Sequence, residues 1–289
     1  MDFTNMIIQL REAGIVQDED VTVEPLSGGT SSNINILTVG DDIRYVIKTN
    51  DKSIIEAEVQ FLSFYKEVSI LPKVVYEDSL HQFFVYPYMK GSTNTSEYNK
   101  KDVLITLIEQ LVKYYKPIKN KRGWGWVHYE IASWHVFLQN EVKSAAEIMN
   151  HEVVSKEDIT FVRKLLDELK VENDAKQPYL LHGDCGFHNF LFSEGELVGV
   201  IDPMPLIGDP LHDIIFSYCS TPEELTQKLI EDIASRIPNW NEDTYSLHRY
   251  VMIGLFVRLA RCKLHHPQDL DTYLQAWEYW KEIVNYKKT

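Results

Sequence analysis

The chain has 289 residues, which is enough for one large domain or two lobes. Hydrophobic residues make up 44% of it and charged residues 25%, a composition that excludes a disordered or low-complexity protein. The formal net charge of −14 excludes nucleic acid and anionic membrane surfaces as expected partners and favours a cationic one.

Nothing in the sequence indicates export or membrane insertion. The longest apolar runs, such as residues 251–257, are too short to span a bilayer. The first residues contain neither a basic region nor a small-residue cleavage site. The three cysteines, Cys185, Cys219 and Cys262, are scattered without metal-ligand spacing, which fits reduced thiols. We therefore expect a cytoplasmic protein.

The first fifty residues predict a helix followed by three strands. Residues 2–13 place apolar side chains on one helical face. Strands are expected at 21–26, 33–39 and 43–48, separated by turns rich in small or polar residues. The third strand ends in Lys48, which taken alone would be an ordinary solvated strand end.

The next segment predicts one helix and two further strands. In residues 53–66 apolar side chains recur at helical spacing, and Ser53 with Glu56 matches a capping box. Residues 73–76 and 82–86 then form a predicted hairpin. This completes five strands around one helix, and the segment that follows is interpreted as a connector.

Helices dominate the predicted structure beyond residue 92. An apolar face at helical spacing is present in residues 103–112 and 157–170, with a loop expected at 123–126 between them. Buried helical positions follow Asp213. The last segments predict three more helices, at 223–236, 242–265 and 269–286, and Leu247, Val251, Leu255 and Leu259 form the apolar seam of the second of these.

The most informative stretch holds several polar motifs within 35 residues. In chain order they are His182-Gly183-Asp184, Asn189, Ile201-Asp202 and Gly208-Asp209-Pro210-Leu211-His212-Asp213. A hairpin pattern lies between Asn189 and Asp202. Because a hairpin folds back on itself, it should bring these two side chains together.

Asp184, Asn189 and Asp202 together suit phosphoryl transfer. A carboxylate can accept or orient the proton of an attacking hydroxyl group. An amide oxygen and a second carboxylate are hard oxygen ligands for Mg²⁺, which bridges nucleotide phosphates. An isolated His-Gly-Asp would be weak evidence, because such residues often form turns or helix caps. The combination at this spacing is far more specific.

This stretch resembles the aminoglycoside phosphotransferase family, which are small-molecule kinases with a protein-kinase-like fold. Members carry H-G-D-x-x-x-x-N, then I-D, then G-D-P-x-x-D, and all three motifs are present here. One departure is Pro203, which follows Asp202 where many members have Trp or Phe. The resemblance is strongest over residues 180–213, looser over 21–91 and weak elsewhere.

The resemblance implies a nucleotide site in the first part of the chain. Lys48 would bind the α and β phosphates, held by Glu58 of the following helix, with Glu56 as the alternative partner. Small residues of the turn between the first two strands would let the backbone close over the phosphates: Gly28, Gly29 and Ser31.

The connector between the lobes would bind the adenine base. The backbone of the connector would contact the edge of the adenine ring, and its apolar side chains would contact the faces of the ring. In this sequence these residues are Tyr86, Tyr88 and Met89. Ordinary packing at the end of a strand remains an equal interpretation of these residues.

The resemblance also implies roles around the catalytic loop. Asp184 would be the catalytic base, while Asn189 and Asp202 would hold Mg²⁺. We expect His182 to order the loop rather than transfer protons, and Asp213 to hold the loop by buried hydrogen bonds. We interpret His188 as an ordinary loop residue and Asp209 as a helix cap.

The expected fold is α+β and bilobal, with a small antiparallel-sheet lobe at 1–88 and a larger, mainly helical lobe at 89–289. The expected reaction moves the γ-phosphate of ATP, or of GTP, to a hydroxyl group of a small molecule. The leading acceptor is an aminoglycoside-like polycation. The alternatives are choline, homoserine, a sugar or a fructosamine, or a pseudokinase that binds nucleotide as an interaction module. The oligomeric state stays open.

Overall fold

The computed structural model describes residues 3–17, 20–26, 32–40, 43–94, 97–119, 123–127, 129, 131–237 and 243–286. The predicted phosphate turn with Gly28, Gly29 and Ser31 lies outside these residues. A five-stranded antiparallel sheet precedes a mainly helical part, which is the α+β arrangement that the sequence predicts. The lobe boundary after residue 88 stays a prediction.

The N-terminal part has two helices and five strands: α1 (Phe3–Glu12), β1 (Val21–Pro25), β2 (Asn33–Val39), β3 (Ile43–Thr49), α2 (Lys52–Phe64), β4 (Tyr76–Glu77) and β5 (Phe83–Pro87). Neighbouring strands pair antiparallel in the order β1-β2-β3-β5-β4. Since β3 is central, Lys48 lies between Ile34 and Phe84 and is only 3% exposed. It is therefore not a solvated strand end.

The helix α2 begins earlier than the sequence indicates. The predicted capping box of Ser53 and Glu56 is wrong, because Asp51 occupies the N-cap position and no side chain caps the helix. The Asp51 carbonyl oxygen accepts the N–H groups of Ile54 and Ile55, and this fixes the first turn by backbone contacts. Glu56 is exposed, whereas Glu58 faces the buried side of the helix.

The C-terminal part is built from eight helices and five short strands among its described residues. They are α3 (Lys100–Gln110), β6 (Gly125–Trp126), α4 (Trp134–Met149), α5 (Lys156–Glu168), α6 (Lys170–Asp174), β7 (Tyr179–Leu181), β8 (Phe190–Ser193), β9 (Glu196–Val200), β10 (Leu206–Gly208), α7 (Leu211–Cys219), α8 (Gln227–Ala234), α9 (Thr244–His265) and α10 (Leu270–Tyr286). The predicted helices and the predicted hairpin (β8 and β9) are present, with ends that shift by a few residues.

Two features of this part differ from the sequence prediction. The predicted loop at 123–126 is wrong over its second half, because β6 pairs with β10 about 80 residues later. No local pattern reveals such a distant partner. The helix α4 was not indicated either, although Ser133 caps it by accepting a hydrogen bond from the Val136 N–H.

The long helix α9 lies at the centre of the helical part, in contact with α4, α5, α7 and α10. The seam that the sequence predicts for it is buried throughout, at Leu247, Val251, Leu255 and Leu259. Across the described ranges, no helix is long and apolar enough to cross a membrane.

We expect Gly254→Ala to destabilise the fold although alanine favours helices by about 1 kcal/mol over glycine. A β-carbon on Gly254 of α9 would lie 2.3 Å from Cγ2 of Ile215 on α7, so the two helices would have to separate. Overpacking of this kind costs about 1–3 kcal/mol. Urea unfolding of both proteins measures the change.

The matched control is the same substitution in an Ile215→Ala background. There the clash is absent, so Gly254→Ala should be neutral or stabilising. A stabilised Gly254→Ala single variant would contradict the close packing of α7 on α9.

Candidate active site

The loop after β7 has a backbone conformation that requires glycine. Gly183 has φ +81°, and a β-carbon there would lie 1.9 Å from the Met204 carbonyl oxygen. The preceding residue is tied to the same segment, because the Met204 N–H donates to the His182 carbonyl at 2.9 Å. Glycine at this position therefore brings the loop against the chain that follows Asp202.

Asp213 holds this loop from beneath, as the sequence predicts. Its fully buried carboxylate accepts the backbone N–H of His182 at 3.0 Å and that of Gly183 at 3.1 Å, and the hydroxyl of Tyr115 at 2.6 Å. Burial by itself would raise the pKa of Asp213. The hydrogen bond and charge of His212, together with these other donors, outweigh it and lower the pKa.

Asp184 sits at the tip of the loop with two side-chain partners. The Asn189 amide nitrogen donates to its Oδ2 at 2.8 Å, and Nε2 of His188 lies 3.2 Å from the same oxygen. Burial would raise the pKa of Asp184, but the hydrogen bonds and charges of His188, His182 and Asn189 lower it. The side chain is 28% exposed, so an ionised carboxylate remains within reach of solvent.

The hairpin of β8 and β9 brings Asn189 and Asp202 together as predicted. The Ile201 N–H donates to the Asn189 carbonyl at 2.9 Å, which places Asp202 directly beside the start of the hairpin. Asp202 has φ +54°, a left-handed conformation that is uncommon outside glycine. The buried ring of His182 fixes the same corner, since its Nε2 lies 3.0 Å from the Ile201 carbonyl oxygen.

Lys48 reaches this corner from the sheet. Its Nζ donates to Glu58 Oε1 at 2.8 Å and to Asp202 Oδ1 at 3.2 Å. Burial favours the neutral amine, but the two carboxylates outweigh it and raise the pKa of Lys48. Glu58, rather than the alternative Glu56, is therefore the partner of the lysine.

The donor set fits Mg²⁺. Both side-chain hydrogen bonds of Asn189 use its amide nitrogen, which leaves Oδ1 to a ligand. Asp202 contacts Lys48 through Oδ1 and is 23% exposed, so Oδ2 can serve in the same way. The described residues contain no group of three or more His, Cys, Asp or Glu that would bind a metal unaided. One carboxylate and one amide match Mg²⁺, which takes its remaining ligands from phosphates and water.

Of the connector residues, Tyr86 lies near this corner, whereas Tyr88 and Met89 contact other segments. Tyr86 is buried. Burial raises the pKa of its phenol, and the nearby charges of Asp202 and Glu58 raise it further. Tyr88 is half-buried and donates its backbone N–H to the Arg44 carbonyl. The Met89 methyl group packs over Gly199 of β9, where a β-carbon would come within 2.8 Å of it.

The structure thus connects five of the predicted site residues, Lys48, Glu58, Asp184, Asn189 and Asp202, and places Tyr86 beside them. Tyr88 and Met89 contact Arg44 and Gly199 instead, and Gly28, Gly29 and Ser31 lie outside what the structure describes. It adds His188, which the sequence assigns to a loop but which contacts Asp184. It also adds polar residues of α4 and α9 that line a cleft beside the loop. The helical spacing of α9 was visible in the sequence, but its partner α4 was not.

Comparison with known proteins establishes the class. A model of the phosphotransferase enzyme family (APH) matches residues 22–242, and the chain belongs to this family. Together with the kinase relatives below, this makes it a small-molecule phosphotransferase that uses a hydroxyl group as acceptor. No curated protein matches the sequence.

Solved structures share the fold over nearly the whole chain. A choline kinase from Cryptosporidium parvum is 11% identical with a TM-score of 0.62, covering 99% of this chain and 97% of that one. Aminoglycoside phosphotransferase APH(4)-Ia, in complex with ADP and hygromycin B, is 17% identical with a TM-score of 0.61, covering 96% and 97%. A putative fructosamine-3-kinase from Thermobifida fusca is 16% identical with a TM-score of 0.58, covering 93% and 98%. The TM-scores and coverages establish the protein-kinase-like fold, whereas identities this low leave the acceptor open.

We expect Asp213→Asn to lower the free energy of unfolding by roughly 3 kcal/mol at pH 7, because it breaks a buried hydrogen-bonded network. The folded-state pKa of Asp213 is lowered. Its stabilisation is therefore fully present above the unfolded pKa of about 4 and is lost as pH falls through the folded value. Urea unfolding of both proteins between pH 7 and pH 3 checks both expectations.

The difference between wild type and Asp213→Asn should shrink only in the acid part of that range. A constant difference from pH 7 to pH 3 would show that the charge of Asp213 contributes nothing to the loop.

Proposed function

We propose that this chain transfers the γ-phosphate of ATP, or of GTP, to a hydroxyl group of a small molecule at Asp184. One observation carries the proposal. Lys48 contacts both Glu58 and Asp202, while Asn189, beside Asp202, contacts Asp184. A phosphate-binding cation, two magnesium ligands and a candidate base thus lie in one continuous set of contacts.

Each residue has a chemical task in this proposal. Lys48 would donate hydrogen bonds to the nucleotide phosphates, with its ammonium group oriented by Glu58. Asn189 and Asp202 would hold Mg²⁺, which neutralises charge on the phosphates. Asp184 has a lowered pKa, so it is ionised at neutral pH. It can therefore orient the acceptor hydroxyl and take its proton as the new phosphate bond forms.

The identity of the acceptor is a separate question. The sequence prediction of an aminoglycoside-like polycation rests on the charge of the whole chain and stays a prediction. Related structures have names that range from aminoglycoside phosphotransferases to choline and fructosamine kinases. A panel of hydroxyl compounds with Mg-ATP, read out as ADP release, tests the reaction. Nucleotide binding without ADP release on any acceptor would favour an interaction module.

We predict that Asp184→Asn lowers kcat by at least about 100-fold with any accepted substrate. Mg-ATP affinity should change little, because the nucleotide depends on Lys48, Asn189 and Asp202. Steady-state turnover and calorimetric titration of Mg-ATP measure the two effects. Simultaneous loss of nucleotide binding and turnover would instead assign Asp184 to the metal or to the structure of the loop.

Asp202→Ala should abolish turnover and also weaken Mg-ATP binding, because it removes a magnesium ligand and one of the two carboxylates beside Lys48. The matched control is Glu56→Ala, which removes an exposed acid from α2 and should leave both quantities unchanged. Wild-type activity of the Asp202→Ala variant would contradict the assignment of Asp202 to the metal site.

A further inference from the structure

A cleft beside the catalytic loop has a chemistry that the proposed function does not specify. It lies between α4, α7 and α9. The empty space in and around the cleft is about 750 Å³, and this volume includes some open solvent. Its walls are mostly apolar and aromatic, with four charged side chains among them. The charged members are Glu141, Asp209, Arg258 and Arg261, and His212 and Phe216 are among the aromatic ones.

The cleft adjoins the candidate catalytic residue through two of its walls. His212 contacts Asp213, the acid that holds the loop, with 3.1 Å between Nδ1 and Oδ1. The Phe216 ring lies against the loop, since a β-carbon on Gly186 would be 3.1 Å from it. Gly186 is two residues after Asp184, so this wall of the cleft borders the loop that carries the candidate base.

The acidic groups of the cleft already have cationic partners. Glu141 lies 3.7 Å from Arg261, and Asp209 lies 3.1 Å from Lys176. The same two cations also cover aromatic rings, with Arg261 at 5.1 Å from the Phe216 centroid and Lys176 at 5.6 Å from that of Tyr250. Both carboxylates and two of the ring faces that would attract a cationic acceptor are therefore occupied by the protein's own cations.

Arg258 is the charged side chain of the cleft that has no ion pair among the described residues. Within the described residues no carboxylate lies within 4.0 Å of its guanidinium group. It is held by neutral groups instead, because its Nε donates to the Tyr273 hydroxyl at 3.0 Å. That hydroxyl donates in turn to the Cys219 carbonyl at 2.9 Å, which fixes its position. Such a preoriented guanidinium suits a carboxylate or phosphate, which can accept two parallel hydrogen bonds.

We propose that the cleft is the acceptor site of the kinase and that the acceptor is an amphiphilic anion. It would combine a hydroxyl group, an apolar or aromatic body and one carboxylate or phosphate group that pairs with Arg258. The inference rests on the proposed function and deepens it. It makes a polycation or a quaternary amine a poor acceptor, in spite of the acidic net charge of the chain.

Three probes of matched shape test the inference in the intact protein with Mg-ADP bound. They are 4-(hydroxymethyl)benzoate, its methyl ester and 4-(hydroxymethyl)benzylamine, titrated by ligand-observed NMR. We expect the benzoate to bind at least about tenfold more tightly than the other two, because a hydrogen bond to a charged group contributes that much. Arg258→Gln should bring the three affinities together, and Arg258→Lys should keep part of the preference.

A matched control is Arg236→Gln, which removes a half-exposed arginine of the α8 end and should leave the preference intact. The wild-type comparison decides even if Arg258→Gln does not fold. Equal binding of the three probes, tighter binding of the amine, or no binding at all would overturn the inference, as would a preference that survives Arg258→Gln. A 4-(hydroxymethyl)benzyl phosphate arm separates the two anion types.

The proposed function is tested independently by Mg-ATP binding and ADP release. ADP release with cationic or neutral acceptors alone would support the proposed kinase activity and refute the anionic acceptor. A preference for the benzoate without any nucleotide binding would support the anion site and refute the proposed kinase activity.

Discussion

A charged lysine buried to 3% exposure is the constraint on which the site depends. An ammonium group removed from water needs opposite charge nearby, and Lys48 has it in Glu58 and Asp202. These carboxylates come from α2 and from the end of the β8–β9 hairpin, so one cation connects the sheet, its helix and the helical part. The proposed function uses the same arrangement, with Lys48 binding the nucleotide phosphates and Asp202 binding Mg²⁺.

A second buried charge fixes the other half of the site. Asp213 accepts hydrogen bonds from the backbone N–H groups of His182 and Gly183. Gly183 can approach the Met204 carbonyl only because it has no side chain. The loop is thus held from below by a carboxylate and from the side by the hairpin. Asp184 is left at its tip, ionised and reachable, as proton acceptance from a substrate requires.

Net charge and local charge point in opposite directions in this protein. The chain carries −14, which by itself favours cations. In the cleft, however, Glu141 and Asp209 pair with Arg261 and Lys176, while Arg258 has no ion pair among the described residues. The proposed anionic acceptor rests on the nearby guanidinium, because screening confines distant surface charges to weak effects.

The sequence by itself determined the catalytic stretch, because Asp184, Asn189 and Asp202 lie close along the chain and a hairpin is a local structure. Four of the five strands and the buried seam of α9 followed from periodicity for the same reason, whereas β4 lies at Tyr76–Glu77 and not at the predicted 73–76. Only the tertiary structure decided that Glu58 pairs with Lys48 rather than Glu56, that residues 125–126 form a strand, and that α4 meets α9 around Arg258. Each of these depends on contacts between segments distant in sequence, whose geometry no local pattern encodes.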